Sequence, residues 1–373
     1  MKTPYIPTIL PPNLDSVYTQ DFVKSLCEAN RALAKLSELP HLLPNVDLLS
    51  APLLRKEAVL SSKIEGTQTT LSELYKYEAQ IGDDVKKEEA KEVENYVKAM
   101  HKGMEDITNL SLSLRTIKNM HAVLLHEVRN EQGEPGEFRN FQNYIAPRGT
   151  PFENATYVPP PPQEIPNLMG MLEKYLNDKD VKEDPIIQCA LLHYQFEAIH
   201  PFGDGNGRIG RLLIPLFFYE RGIIKAPLIY VSEFLEQNHQ DYYALLRNIS
   251  EQNDWVPWLR FFIEAIKIQS NVTHRRAEEI IDLYRNYHQK ILEKAQSSNA
   301  VALVEHIFKY PYTAAPFVSK KIGVSHQTSM RLLERFVELG ALKRVQGRMK
   351  RPKFSRPVRL YVFQELIDIV NKP

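Results

Sequence analysis

One segment, HPFGDGNGRIGR from His200 to Arg211, sits between two apolar helical stretches and constrains this chain more than any other. Upstream, Asp184 followed by Pro185 predicts an N-cap and first helical position, opening a helix through Ile187, Leu191, Tyr194 and Ile199. Downstream, a second helix is predicted from Gly205 through Leu212, Leu213, Leu216 and Phe217, stopping at Gly222 and kinked at Pro215. The rest of the body is also helical in period. Between Ala90 and Met104, for instance, Val93, Tyr96, Val97, Met100 and Met104 fall on one helical face. The predicted fold class is therefore mostly α.

Departures from that pattern mark out the remaining organisation. From Tyr144 to Val158 two β-prone ends flank a Pro/Gly tip, which predicts a short exposed hairpin before a run of four prolines. A long helix is predicted from about Trp258 to Gln296, followed by SSNA as a joint. Beyond it, a short helix, a turn at Gly323 and a second helix N-capped by Ser325 form a helix-turn-helix pattern, with Leu332, Leu333, Phe336, Val337 and Leu339 as its core. A β-wing is expected over 342–359. The expected division is an N-terminal helical region (1–110), a core around the glycine-rich segment (111–265), a connecting helix (266–298) and a winged helix-turn-helix (299–373), within what 373 residues can accommodate.

Charge supports a separate tail. Residues 300–373 hold 14 Lys or Arg against 5 Asp or Glu, although the whole chain is only +1. Eight of those basic residues lie between Lys343 and Arg359 with no acidic residue among them, a density suited to phosphate backbones or acidic proteins. Glu334 and Glu338 on the second helix keep DNA binding and protein docking equally open. The longest apolar run, Leu212 to Tyr219, is far short of the roughly 18–20 residues of a membrane span. Prolines near the N-terminus stand where a signal peptide would be apolar, and Cys27 and Cys189 fit neither a disulfide framework nor a zinc site. A cytoplasmic protein with no membrane contact is expected.

The chemistry concentrates in the glycine-rich turn. Gly205, Asn206 and Gly207 can bend so that successive backbone N–H groups face one concavity at the positive end of a helix, which is an anion site. Arg208 and Arg211 share a face of the first helical turn and can reach a polyphosphate with planar donors. Asp204 can hold a magnesium ion bridging the phosphates, and His200 can take a proton from an attacking hydroxyl near neutral pH. Phe202 is expected to pack under the turn. Gly205-x-Gly207-x-x-Gly210 also matches the dinucleotide fingerprint, but helix rather than strand precedes it, which excludes that reading. His193 and His200 with Asp204 would be an incomplete metal set, and a lone helical histidine is more often a satisfied core or surface residue.

The segment resembles the signature of the Fic family, H-x-F-x-D/E-G-N-G-R-x-x-R, at His200, Phe202, Asp204, Gly205, Asn206, Gly207, Arg208 and Arg211. The resemblance implies a protein adenylyltransferase that moves AMP from ATP to Ser, Thr or Tyr hydroxyls of target proteins and of itself, releasing pyrophosphate. It makes His200 the general base and Asp204 the magnesium ligand. The turn through Gly205, Asn206 and Gly207 and the helix entry through Ile209 and Gly210 become the nucleotide site, with Arg208 and Arg211 on the outer phosphates. Phosphorylating Doc-like members carry lysine where this chain has Gly207, which favours AMP transfer. HQDYYALL resembles the segment that places a tyrosine near adenine, here Tyr242 and Tyr243, with core packing the competing role. The 144–158 segment corresponds to the flap that docks targets by strand addition.

Upstream, Ser61-x-x-x-Glu65-Gly66 resembles the family's inhibitory motif of the N-terminal class. Ser61 and Glu65 share a helix face and Gly66 can end the helix, so a carboxylate from that end could pair with Arg211 and displace the γ-phosphate. Two alternatives stay open: an ATP-sensing transcriptional regulator, which would not need His200, and an enzyme that transfers another nucleotide or removes AMP. Assembly into a homo-oligomer is also left open.

Overall fold

A computed structural model describes residues 3–80, 87–109, 111–128, 133–146, 149–178, 180–294, 297–345 and 359–372. As expected, it is mostly helical. The first helices are α1 (Gln20–Glu38), α2 (Asp47–Ile64), α3 (Leu71–Glu78), α4 (Lys87–Asn109) and α5 (Leu114–Leu124). The middle of the chain forms α6 (Ile165–Asn177), α7 (Pro185–Ile199), α8 (Asn206–Glu220), α9 (Ser232–Gln237) and α10 (His239–Gln252). Then come α11 (Trp255–Lys294), α12 (Ser298–Lys309), β1 (Tyr312–Ala314), α13 (Ala315–Ile322), α14 (His326–Glu338), β2 (Lys343–Val345), β3 (Leu360–Val362) and α15 (Gln364–Asn371).

The chain divides into two compact units. The first comprises 1–37, 60–66 and 95–271, and the second 38–59, 67–94 and 272–373. In the first unit, α7 is buried on nearly every face and packs against α8, so these two helices form the centre of the core. Asp184 caps α7 as predicted, its Oδ1 accepting the Ile186 N–H at 2.8 Å, and Pro185 takes the first helical position, where its missing N–H costs nothing. Trp258 is fully buried against α7 and donates its indole N–H to the Ala190 carbonyl at 3.1 Å. On α4, a side chain added at Gly103 would come within 2.7 Å of Leu216 and 2.8 Å of Met120. The glycine therefore sets how closely α4 can approach α5 and α8.

In the second unit a three-stranded antiparallel sheet, ordered β1-β3-β2, pairs Tyr312 with Val362 and Lys343 with Val362 on either side of the central strand. Gly323 ends α13 in the left-handed conformation (φ 72°), and Ser325 caps α14 by accepting the Thr328 N–H, as the helix-turn-helix pattern requires. Leu332, Leu333 and Phe336 are buried, whereas Val337 and Leu339 are only partly so. Residues 346–358 of the expected wing lie outside the described residues. Arg55 and Glu78 form a largely buried ion pair at 2.7 Å, with the guanidinium over the rings of Tyr75 and Tyr310.

Two expectations need correction. Among the described residues, the hairpin over 144–158 shows one antiparallel bridge, Ile145 to Tyr157, with a 3-10 turn at Phe152–Asn154. Pro151 and the prolines from Pro159 onward lack the N–H groups a longer ladder would need. Residues 147–148, at the expected tip, lie outside the described residues. SSNA, expected as a joint, begins α12 instead.

Candidate active site

His200 is the last residue of the α7 cap and adopts the left-handed conformation (φ 51°, ψ 59°), rare for a residue with a side chain. That reversal turns the chain out of α7 and into the glycine-rich turn. The turn is braced from within: Asn206 Oδ1 accepts the Phe202 N–H at 2.9 Å, while its Nδ2 donates to the Phe202 carbonyl at 2.9 Å. Phe202 is fully buried, as expected, and stacks on the His121 imidazole with ring centres 3.7 Å apart. Gly205 then takes φ 76° and caps α8. A Cβ at Gly205 would lie 3.1 Å from Leu124, so both conformation and space favour glycine.

The α8 entrance holds the predicted cations. Arg208 and Arg211 are almost completely buried, and Arg208 donates to Asp204 Oδ1 at 3.3 Å. Asp204 Oδ1 also accepts the Gly205 N–H at 2.5 Å, yet the aspartate side chain is still 48% exposed. Across from α8, the last turn of α2 brings Ser61 and Glu65 onto Arg211. Its Nε donates to Ser61 Oγ at 2.8 Å, and its Nη2 donates to the Ser61 carbonyl at 3.0 Å and to Glu65 Oε1 at 2.5 Å. Gly66, at φ 97°, ends the turn just beyond the glutamate. A Cβ at Gly207 would lie 2.2 Å from Glu65 Oε1 and 2.9 Å from Arg211 Nη1, so the carboxylate rests against the bare backbone of the motif.

Electrostatics follow from burial. Burial works against the Glu65 carboxylate, but the Arg211 charge and hydrogen bond outweigh it and hold the group below its ordinary range. His200 is pushed down to about 4, chiefly by burial and next by the Arg139 charge, so its imidazole is neutral and proton-accepting at neutral pH. Glu197, one turn earlier on α7, is pushed up to about 8 by burial, with Arg211 opposing and Glu65 reinforcing the shift. Its buried Oε1 has no hydrogen-bond partner among the described residues and would lie 2.2 Å from a Cβ at Gly210.

Among the other expected residues, Ile209 is buried in the core and Gly210 faces Glu197 and His193, so their part in the site is through backbone. His193 is a core residue: Nδ1 meets the Gly210 carbonyl at 3.1 Å and Nε2 meets the Tyr242 hydroxyl at 2.9 Å. That bond, with 1% exposure, makes Tyr242 a packing residue, whereas Tyr243 is only partly buried and lies within the field of Glu65 and Arg211. No group of three or more metal-binding side chains occurs among the described residues.

Three residues of this neighbourhood were not read from the sequence. His121 joins two loops, its Nε2 meeting the Asp204 carbonyl at 3.0 Å and its Nδ1 accepting the Gly136 N–H at 2.8 Å. Arg139 reaches the His200 carbonyl, and Glu197 lies beside Arg211. None shares a local pattern with the motif except Glu197, whose position one helical turn before His200 was the available signal.

Comparison with known proteins agrees with this geometry. The model described as Fic/DOC family N-terminal matches residues 23–105, and that described as Fic/DOC family matches residues 111–218. A probable protein adenylyltransferase of Aquifex aeolicus is 27% identical over 203 residues, covering 53% of this chain and 57% of the relative. The protein adenylyltransferase Fic of Drosophila grimshawi is 30% identical over 179 residues, covering 48% of this chain but 31% of the relative. The chain thus spans only 31–57% of the length of these curated relatives. In overall fold it is similar to a Fic family protein of Desulfovibrio desulfuricans (TM-score 0.56, 22% identity), over 97% of this chain and 98% of that one. A Fic domain-containing signalling protein of Bacteroides thetaiotaomicron matches at TM-score 0.55 and 19% identity, over 68% of this chain and 97% of its own. With the full signature on one turn and two models of one family together spanning just over half its length, the chain belongs to the Fic/DOC family.

Proposed function

We propose that this chain is a protein adenylyltransferase that transfers AMP from ATP to a hydroxyl of Ser, Thr or Tyr, and that Glu65 holds it inactive. The observation that carries the reading is the convergence of the His200 imidazole, the Gly205–Gly207 backbone and the Arg208 and Arg211 guanidiniums at the entrance of α8. The named activity of the relatives in Aquifex aeolicus and Drosophila grimshawi supports it.

The reaction in this reading is an in-line exchange at the α-phosphorus. The target hydroxyl oxygen forms a bond to it, the bond to the bridging oxygen of the β-phosphate breaks, and pyrophosphate leaves. His200, neutral at working pH, takes the hydroxyl proton. Backbone N–H groups at the start of α8 and the two arginines stabilise the charge that builds on the leaving phosphates. Asp204, half exposed at the mouth of the turn, fits a magnesium ion, which keeps several waters and phosphate oxygens and needs only one or two protein carboxylates. Held by Asp204, such an ion would supply neutralisation of phosphate charge. The 144–158 segment is the proposed dock for the target backbone, beginning from the Ile145–Tyr157 bridge.

Inhibition in this reading is direct occupation. Glu65 engages the Arg211 nitrogen intended for the γ-phosphate, and its carboxylate lies where Gly207 leaves room for a phosphate oxygen. The basic C-terminal module is the proposed contact for nucleic acid or an acidic partner. Two of its cations, Arg344 and Arg359, are already paired with Glu334. No described helix is long and apolar enough to cross a membrane.

The test is the intact mass of the Glu65→Gly protein after incubation with ATP and magnesium, beside the Glu65→Gly/His200→Ala double variant. A gain of one AMP, absent in the double variant, is the expected result. A gain corresponding to a phosphate or another nucleotide would replace the AMP assignment.

A further inference from the structure

Arg139 is 3% exposed, yet its guanidinium donates to three main-chain carbonyls. Nε donates to the His200 carbonyl at 2.9 Å, Nη1 to that of Phe141 at 2.9 Å and Nη2 to that of Pro160 at 2.7 Å. Its backbone N–H donates to the Pro201 carbonyl at 2.9 Å. Burial lowers the guanidinium to about 10, leaving it charged at neutral pH. Taking a cation out of water to serve three neutral acceptors is costly unless all three bonds form together, so the geometry at each is tightly specified.

The acceptors have distinct places in the chain. His200 ends α7 in a left-handed conformation, so its carbonyl is one of the helix-terminal groups left without an intrahelical donor. Phe141 and Pro160 are the two stems of the segment that carries the Ile145–Tyr157 bridge. A second tie runs in parallel: the Tyr157 hydroxyl donates to the Ala198 carbonyl at 2.7 Å, joining the returning stem to the end of α7.

We propose that Arg139 is a positioning residue for group transfer, one guanidinium that fixes the backbone of the base and registers it against both stems of the target-docking segment. Its chemical consequence rests on the AMP-transfer reading above. Arg139 holds the proton acceptor at a set height over the strand that presents the hydroxyl, so the approach of hydroxyl to base is defined before any target arrives. Lysine cannot replace it, because an ammonium offers its donors from a single point whereas these three carbonyls are met by a planar fork. The proposed phosphate contacts, the Gly205–Gly207 backbone and the arginines of α8, do not include Arg139.

The experiment compares Arg139→Lys and Arg139→Gln with the parent, all in the Glu65→Gly background. The expected result is at least a tenfold fall in the rate of AMP transfer for both variants, with the KM for ATP within twofold of the parent and partial recovery of Arg139→Gln by added methylguanidinium. The imidazole of His200, followed by NMR, should titrate higher in Arg139→Gln than in Arg139→Lys. After burial, the Arg139 charge is the largest influence favouring the neutral ring, while Glu65, absent in this background, and Asp204 favour the charged one. Hydrogen exchange supplies a readout that needs no catalysis. Amides of 141–160 and of 197–203 should lose protection together in Arg139→Gln, while those of α8 do not. Parental exchange and titration in a folded Arg139→Gln protein would overturn the proposal, whether or not the parent transfers AMP. So would full transfer by Arg139→Lys. Absence of AMP transfer in the parent itself would instead count against the proposed function.

Discussion

Replacing Glu65 by glycine should activate the enzyme, and the structure indicates by how much. The group removed is a carboxylate at 2.5 Å from a guanidinium that is 1% exposed, a charge-assisted hydrogen bond. Such bonds contribute about 1.5–3 kcal/mol. Because the Glu65 side chain is itself 35% exposed, the lower end applies, about 1.5 kcal/mol or roughly tenfold in the balance between engaged and disengaged Arg211. Two bonds from Arg211 to Ser61 persist in the variant, so the arginine stays aimed while the Nη2 N–H that met Glu65 is released. The assay is the initial rate of AMP gain by intact mass at fixed ATP and magnesium. Glu65→Gln, which keeps the shape but loses the charge, should fall between parent and glycine variant. A Glu65→Gly protein that binds ATP and modifies itself no faster than the parent would refute the argument that this ion pair restrains the site.

The other predictions can be checked on the same material. His200→Ala in the activated background should lower transfer by about 10²–10⁴-fold, the usual contribution of a general base, with ATP affinity measured by calorimetry largely retained. With His200 pushed down to about 4, the base is already deprotonated across the neutral range, so kcat/KM should show no acid limb between about pH 5.5 and 8; a limb centred near 6.5 would show an ordinary imidazole instead. Glu197 has a folded-state pKa near 8, above its unfolded value of 4.5, so the native state binds the extra proton and stability declines as pH rises between those values. Glu197→Gln should remove that slope, giving a higher Tm than the parent at pH 8.5 but not at pH 4.5; parallel Tm profiles would disprove it.

What could be read from the sequence was local. Asp184 before Pro185, Gly205 before α8 and Ser325 before α14 announce helix ends because a cap is decided by residues within a few positions of it. The motif likewise reads as an anion turn because its donors are consecutive. The Ser61 and Glu65 spacing showed a shared helix face, but only folding brings that face to Arg211, 146 residues from Glu65. His121 and Arg139 were hidden for the same reason, since their contacts with Asp204 and His200 cross 83 and 61 residues and leave no periodic trace. The tyrosine pair divides along a physical line: the Tyr242 hydroxyl meets His193 in the core, a partnership invisible in HQDYYALL. The hairpin fell short because β propensity at its ends does not count the N–H groups that proline removes.

Gly207 has a consequence for how such a protein could change. The space that a Cβ would fill there is used by Glu65, and in the AMP-transfer reading the same space admits phosphate. Restraint and substrate are in that reading rivals for a single berth, and a side chain at this position would displace Glu65 from it. If Glu65 is the proposed brake, its strength can drift by substitution along the last turn of α2 while the motif stays intact, and resting activity would then be raised or lowered through residues that never touch the nucleotide.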